Sequence, residues 1–445
     1  MMTRQIILAL VFAAVGISHA HADNWGHWRG PTGNGTAENA TPPTEWSDTK
    51  NVKWKVAIPG RGSGSPVIWE DQVFVVTSVS EGGGQADGGQ GTRGRQRGQR
   101  GGRGRGRGRG PAPTKTKSMV ICYNRKTGEM LWEQTADEGT PHQGTHSTNN
   151  FASASPCTDG NHVYAFFGSR GLYCYTMDGK LVWEKKFGKM DTRNSFGEGA
   201  SPTLAGDKVI VPWDHEGQSY IYALDKTSGD QIWKTQRDEP TNWSTPLVVE
   251  HEGKQQVVLN GQTKVRSYDL ETGKELWSCG GQTERPCASA VAIGDMVIVG
   301  SGHRGAFMGA FKLGGEGDVE GTDNVAWSIN RDTPDIASPI LSDGRLYFHK
   351  QKTGILTCLD AETGKPHFAA SRIDGIRSTY ASPVAAGGYV FLTGRSGTTV
   401  VIKDAEELEV VATNSVGETV DATPAPVGNE LFIRGEKHLF CIAGE

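Results

Sequence analysis

Tyr268-Asp269-Leu270-Glu271-Thr272-Gly273-Lys274-Glu275-Leu276-Trp277 is the stretch whose reading decides the fold. An Asp, a Gly four residues on and a Trp four further read as strand, tight turn, strand. The Gly supplies the positive φ of the turn, and the Trp begins to bury area on the returning strand. The phrase recurs as Asn124…Gly128…Trp132, Asp225…Gly229…Trp233 and Asp360…Gly364…Phe368, with a shortened copy at Asp178-Gly179…Trp183. Copies in register along one chain are a repeat.

A second phrase keeps the same period. Ser65-Pro66, Ser155-Pro156, Ser201-Pro202, Thr245-Pro246, Ser338-Pro339, Ser382-Pro383 and Thr423-Pro424 each open a short apolar run, and Ser289-Ala290 fills the gap in the series. After the first interval, successive copies are 41–49 residues apart, the spacing of a propeller blade. Each unit reads as four short strands, A to D, with Ser-Pro opening strand A and Trp on strand D. The expected fold is an all-β, eight-bladed propeller.

Net charge is −4 over 445 residues, which by itself points to no class of partner. It hides eight Arg concentrated between Arg93 and Arg109. Residues 1–22 read as an export signal: Arg4, an apolar run from Ile6 to Gly16, and Ala20-His21-Ala22 as the cleavage site. That run is too short to anchor in a bilayer. No Cys precedes Cys122, so lipid attachment at a mature N-terminus is excluded. A soluble periplasmic or secreted protein, cleaved near Ala22 and monomeric, is expected. Seven Cys imply no complete disulfide framework. Cys122, Cys174, Cys358 and Cys441 recur at one place on strand C and read as small buried hydrophobes. Cys279 and Cys287 flank one loop and are placed either to bridge or to stay free.

Residues 23–50 form an irregular arm whose Trp25 and Trp28 pack on the edge or end of the propeller, and residues 51–445 form the propeller itself. Asn51 to Ile58 has strand pattern and a Trp at position 54, but no strands A to C before it. The last repeat has A to C (Ala425 to Ile442) and no D. The strand around Trp54 is therefore expected to complete blade eight and close the ring, leaving no sheet edge between the termini. Blade one is interrupted by residues 82–113, an Arg/Gly-rich tract too polar to bury and expected to be disordered. It reads as a surface loop or as a tether for an anionic polymer. It lacks the interleaved aromatics that stack on bases, and an exported protein rarely meets RNA, so nucleic acid is discounted.

The repeat Asp-x-x-Thr-Gly-x-x-x-Trp is similar to the tryptophan-docking motif of the pyrroloquinoline-quinone (PQQ) propeller superfamily, and the resemblance covers Trp54 to the C-terminus. It implies that Trp54, Trp132, Trp183, Trp233 and Trp277 dock blade onto blade. Blades five, seven and eight depart from the motif. Asp404-Ala405-Glu406-Glu407-Leu408 lacks both Gly and Trp, so docking there is expected to be looser. Trp28-Arg29-Gly30-Pro31 with Asn51-Val52-Lys53-Trp54 resembles the exported PQQ-like propellers of planctomycete-type bacteria. The superfamily implies either a BamB-type non-catalytic scaffold, which binds a protein partner or here an anionic polymer through its loops, or a quinoprotein dehydrogenase with PQQ and calcium in the central funnel. The chain lacks the adjacent Cys pair frequent in those enzymes and any C-x-x-C-H haem site. It also lacks G-x-S-x-G, Walker A and H-E-x-x-H motifs. The scaffold, without catalytic residues or cofactor, is the preferred reading.

In an up-and-down blade the B–C and D–A loops emerge at one end. The candidate binding face is therefore His142, His146, Asn149, Asp214, His215, Arg237, Trp243, Arg285, Arg304, Asp335, Arg377 and Asp421. Mixed charge at the mouth of a ring is the default binding surface. His142, His146, Asp214 and His215 carry donor types suited to a metal. Trp243, Arg237 and Arg285 are suited to clamping an anionic or aromatic ligand.

Overall fold

A computed structural model of the chain describes residues 24–47, 49–81 and 114–444. The export signal expected at 1–22 and the insert at 82–113 lie outside the described residues. Eight small antiparallel sheets form the eight blades of a β-propeller. Blade one comprises strands A to D at Val67–Trp69, Gln72–Ser80, Thr116–Asn124 and Met130–Gly139. The only helical turns among the described residues are two short 3-10 segments, Gly168–Arg170 and Arg193–Ser195.

Blade eight is built from both ends of the chain. Ala425–Val427, Glu430–Arg434 and His438–Ala443 supply A to C, and Val52–Ala57 supplies D, with Trp54 opposite Cys441. The recurring Cys has a purpose in this register. Cys122, Cys174 and Cys358 face Trp132, Trp183 and Phe368 across the C–D pair. All four strand-C cysteines are fully buried. A small thiol leaves room for the large ring opposite it. All seven cysteines are free, Cys279 and Cys287 included.

Each docking Trp sits over the turn glycine of the next blade and donates its indole N–H to a carbonyl there. Trp54 donates to Arg125 O at 2.9 Å, Trp132 to Met177 O at 2.9 Å, Trp183 to Lys226 O at 3.1 Å and Trp233 to Leu270 O at 2.8 Å. Two positions differ from expectation. Trp277 is fully buried and stacks on Phe311 at 5.8 Å, but its N–H has no partner, because the C–D connection of blade five replaces the glycine turn with a longer loop through Gly317–Asp318. Blade five nevertheless docks: Trp327 donates to Ala361 O at 3.0 Å, above Gly364. Between blades six and seven, Phe368 and Leu408 pack on an apolar cluster that both blades share, and a polar contact is added to it. Asp404 accepts from Arg345 Nε and from Tyr347 OH, each at 2.8 Å.

At the axis, the repeating Ser or Thr forms a closed ring. The amide of each donates to the hydroxyl of the next: Ser65 to Ser155 at 2.8 Å, Ser155 to Ser201 at 2.9 Å, Ser201 to Thr245 at 3.1 Å, Thr245 to Ser289 at 2.8 Å. Ser289 to Ser338 follows at 2.8 Å, Ser338 to Ser382 at 2.9 Å, Ser382 to Thr423 at 3.0 Å, and Thr423 back to Ser65 at 2.9 Å. Each bond satisfies a buried amide and ties two neighbouring blades at the point where they converge.

The arm crosses the axis on the side away from the D–A loops. It bonds to strand A of one blade after another: Trp25 N to Ile68 O in blade one at 2.8 Å, Thr158 N to Gly26 O in blade two at 2.8 Å, Asn34 Nδ2 to Ala292 O in blade five at 2.9 Å. Thr36–Ala37 then adds in parallel to Val384–Ala386 of blade seven. Arg29, almost fully buried, donates to Pro383 O at 3.2 Å and to Pro339 O. The far mouth of the propeller is thereby covered.

Candidate functional site

The D–A loops, joined by the B–C loops of blades five and six, surround an axial funnel of about 280 Å³. Its floor is the hydroxyl ring together with Trp28, which reaches the cavity from the arm on the opposite side. Its wall carries aromatic faces and cations in contact. The Arg395 guanidinium lies 4.1 Å from the centre of the Tyr380 ring, and that of Arg285 lies 5.3 Å from the Phe196 ring. Such stacking holds a planar cation without neutralising it. Trp243 is fixed by its indole N–H on Gly197 O at 2.8 Å, and Tyr380 by its hydroxyl against Thr148 Oγ1 at 3.0 Å.

The charges are unevenly paired. Asp421 is engaged at both oxygens by Arg395, at 2.6 and 3.0 Å. Arg285 contacts the His303 ring and has no carboxylate partner among the described residues; Lys352 likewise makes no ion pair. Asp335 stands 3.8 Å from His303 Nδ1. Burial and the charges of Lys352, Arg285 and Arg395 hold His146 below its usual range, and burial with Arg285 does the same to His303. Both imidazoles are held towards the neutral form, as expected where positive charge accumulates.

Six of the twelve candidates line this funnel: His146, Asn149, Trp243, Arg285, Asp335 and Asp421. His142 instead lines a neighbouring recess between blades one to three, with Nε2 donating to Met190 O at 3.0 Å. In that recess Glu198 accepts from Ser169 N at 2.8 Å, and burial raises its carboxyl pKa. Asp214 and Arg237 are interior groups. Arg237 Nε donates to Asp214 Oδ1 at 2.8 Å, with side-chain exposures of 0% and 1%, and Tyr268 and Asn242 complete the cluster. The end of strand D in blade three carries Arg237 under the B–C loop, so neither residue can reach a ligand. His215 is buried too, its Nδ1 accepting from the amides of Asp191 and Gly217 at 3.2 Å and its Nε2 donating to Gln218 O at 3.1 Å. His146 Nδ1 is 2.9 Å from Thr148 Oγ1, so the four candidate metal donors are separately engaged, and no group of three or more His, Cys, Asp or Glu among the described residues is placed to hold a metal ion. Arg304 is exposed at the rim, 3.5 Å from Glu284, and Arg377 is exposed beyond the funnel lining.

Sequence reading missed Phe196 and Lys352 as wall residues and Trp28 as floor. Nothing in the arm's composition shows that it crosses beneath the ring rather than lying along an edge.

The fold has distant relatives among solved structures. A europium-containing methanol dehydrogenase superposes with a TM-score of 0.60 at 10% identity, covering 95% of this chain and 98% of that one. Quinohemoprotein alcohol dehydrogenase from Comamonas testosteroni gives 0.59 at 11% identity, over 96% and 81% of the two chains. BamB from Moraxella catarrhalis gives 0.49 at 13% identity, over 73% and 88%. At these identities the likeness is one of fold. No curated protein matches the chain in sequence. No described helix is long and apolar enough to cross a membrane. Residues 116–370, more than half the chain, match the model of the family described as outer membrane protein assembly factor BamB, and the chain belongs to that family.

Proposed function

We propose that this chain is an exported, non-catalytic binding propeller that holds an acidic partner, protein or polymer, at its funnel face. The observation that carries the reading is the pair of cations, Arg285 and Lys352, set in the funnel without carboxylate partners. Two cations set against the single carboxylate of Asp335, with Asp421 already engaged by Arg395, leave net positive charge in a concave, partly desolvated site, which favours an anion. The flanks of the Arg-rich insert support it. Strand B of blade one ends at Ser80 and strand C starts at Thr116, so the two strand ends that flank the insert lie at the funnel end of the blade.

The alternative, PQQ with calcium, meets a donor set that does not suit the metal. Calcium takes six to eight oxygens, several from carboxylates. The funnel offers Asp335 and Asp421, and Arg395 already engages both oxygens of Asp421.

The test is a titration of the mature protein with poly-glutamate, beside one with PQQ plus calcium, following Trp fluorescence and dye-linked alcohol oxidation. Expected are salt-sensitive binding of the polyanion and no turnover; a variant lacking residues 82–113 measures the insert's share. Turnover with PQQ and calcium would overturn the scaffold reading.

A further inference from the structure

The ring hydroxyls have a second property. Each accepts one amide proton, and among the described hydrogen bonds none donates its own. Seven of the eight belong to residues lining the funnel, all but Ser338. Trp28 adds an indole N–H that is buried without a partner. A circle of uncommitted hydroxyl donors, with one unspent N–H, is unusual at the base of a cavity, since buried polar groups are normally satisfied.

Three chemistries therefore meet in one cavity: neutral donors on the floor, aromatic faces of Trp243, Phe196 and Tyr380 on the wall, and the cations Arg285 and Lys352. A simple anion would use only the cations. An aromatic acid would use the cations and the rings. A sugar acid uses all three, with its hydroxyls on the ring donors, its C–H face on an aromatic side chain and its carboxylate on Arg285 or Lys352. The covered far mouth adds a geometric condition. A chain cannot thread along the axis, because Arg29 and its neighbours in the arm close it. Only an end or a side branch can enter.

We infer that the funnel binds the terminal acidic sugar residue of an anionic glycan, end-on. This rests on the proposed binding role and names the ligand of that same face.

The test uses the mature protein with galacturonate trimer and decamer, the methyl-esterified trimer, benzene-1,3,5-tricarboxylate and poly-glutamate, read by calorimetry and Trp fluorescence. Expected is one-to-one binding of trimer and decamer with affinities per chain within about threefold of each other, as end-on docking requires. The neutral ester should bind at least tenfold more weakly, as should the acid trimer to Arg285→Gln or Lys352→Gln. Lys352 is exposed, so its variant folds without a buried penalty, and thermal unfolding verifies this. Trp28→Phe, which removes the unpartnered indole N–H, should weaken the trimer several-fold. The inference is overturned if the tricarboxylate binds as tightly as the trimer, if the ester matches the acid, or if affinity rises in proportion to chain length. Poly-glutamate binding without trimer binding would overturn the sugar-end inference alone and leave the binding role standing. Failure of every anion would overturn both.

Discussion

The amide of Thr423 donates to Oγ of Ser65 at 2.9 Å, so the last blade is joined to the first by the same bond that joins every other neighbouring pair. Both residues are more than 95% buried. Ser65→Ala would strand the Thr423 amide, a cost of about 1–3 kcal/mol, whereas Ser65→Thr keeps the hydroxyl. Urea denaturation of both variants decides the point. If the alanine variant is as stable as wild type, the ring does not contribute to closure.

Glycine at the C–D turn answers to the tryptophan of the preceding blade as well as to its own backbone. Gly229 has φ +75, and a Cβ there would lie 2.7 Å from the Trp183 ring; Gly344, in an A–B turn, also has φ +75, but nothing stands within 4 Å. Gly344→Ala should therefore cost only the left-handed backbone term, roughly 1–2 kcal/mol. Gly229→Ala should cost that plus about 1–3 kcal/mol of overpacking against Trp183. Equal losses in thermal unfolding would show that the indole adjusts freely.

Much of this architecture is written in residue spacing, because strand, turn and blade lengths are local matters. The ring is harder to read. The period places each Ser or Thr at the same point in its blade but does not show that neighbouring copies touch. The usable signal is Ser289, where the Pro of the pair is replaced by Ala290 and the hydroxyl is kept. Trp327 escaped because the loop before it stretches the spacing, while Trp277 matched the spacing although the next blade lacks the turn that would supply an acceptor. Half of the candidate face reaches the funnel because topology fixes which loops share an end. Topology does not fix burial, so Asp214, Arg237 and His215 looked like surface groups and are interior ones.

Asp214 and Arg237 make the clearest case for non-additivity. Removing one partner by Asp214→Asn leaves an uncompensated guanidinium in the interior, at about 3–5 kcal/mol. Replacing both, by Asp214→Leu with Arg237→Met, removes the charge and its desolvation together and should cost less than the single change. Chemical denaturation of these variants together with the single changes Asp214→Leu and Arg237→Met completes the cycle. A double variant less stable than the Asp214 variant would contradict this account.

Acid stability should depend on two imidazoles, the fully buried His349 and the half-buried His27. Burial pushes the pKa of His349 down to about 4, and burial with the Arg29 charge does the same to His27. Neither ring nitrogen of His349 has a hydrogen-bond partner, and the Ile355 backbone offsets the effect of burial only in part. The unfolded chain titrates near 6.5, so between about pH 6.5 and 4 the unfolded state binds more protons than the folded one. Stability is full above the unfolded value and falls as pH drops towards the folded one. A shift of this size is worth about 3 kcal/mol per histidine across the window. His349→Leu should therefore lose less stability than wild type between pH 7.5 and pH 4, while the carboxylates common to both chains contribute equally. Denaturation midpoints measured at pH 7.5, 5.5 and 4 give the two slopes, and parallel slopes would mean that His349 is already protonated or hydrated in the native state.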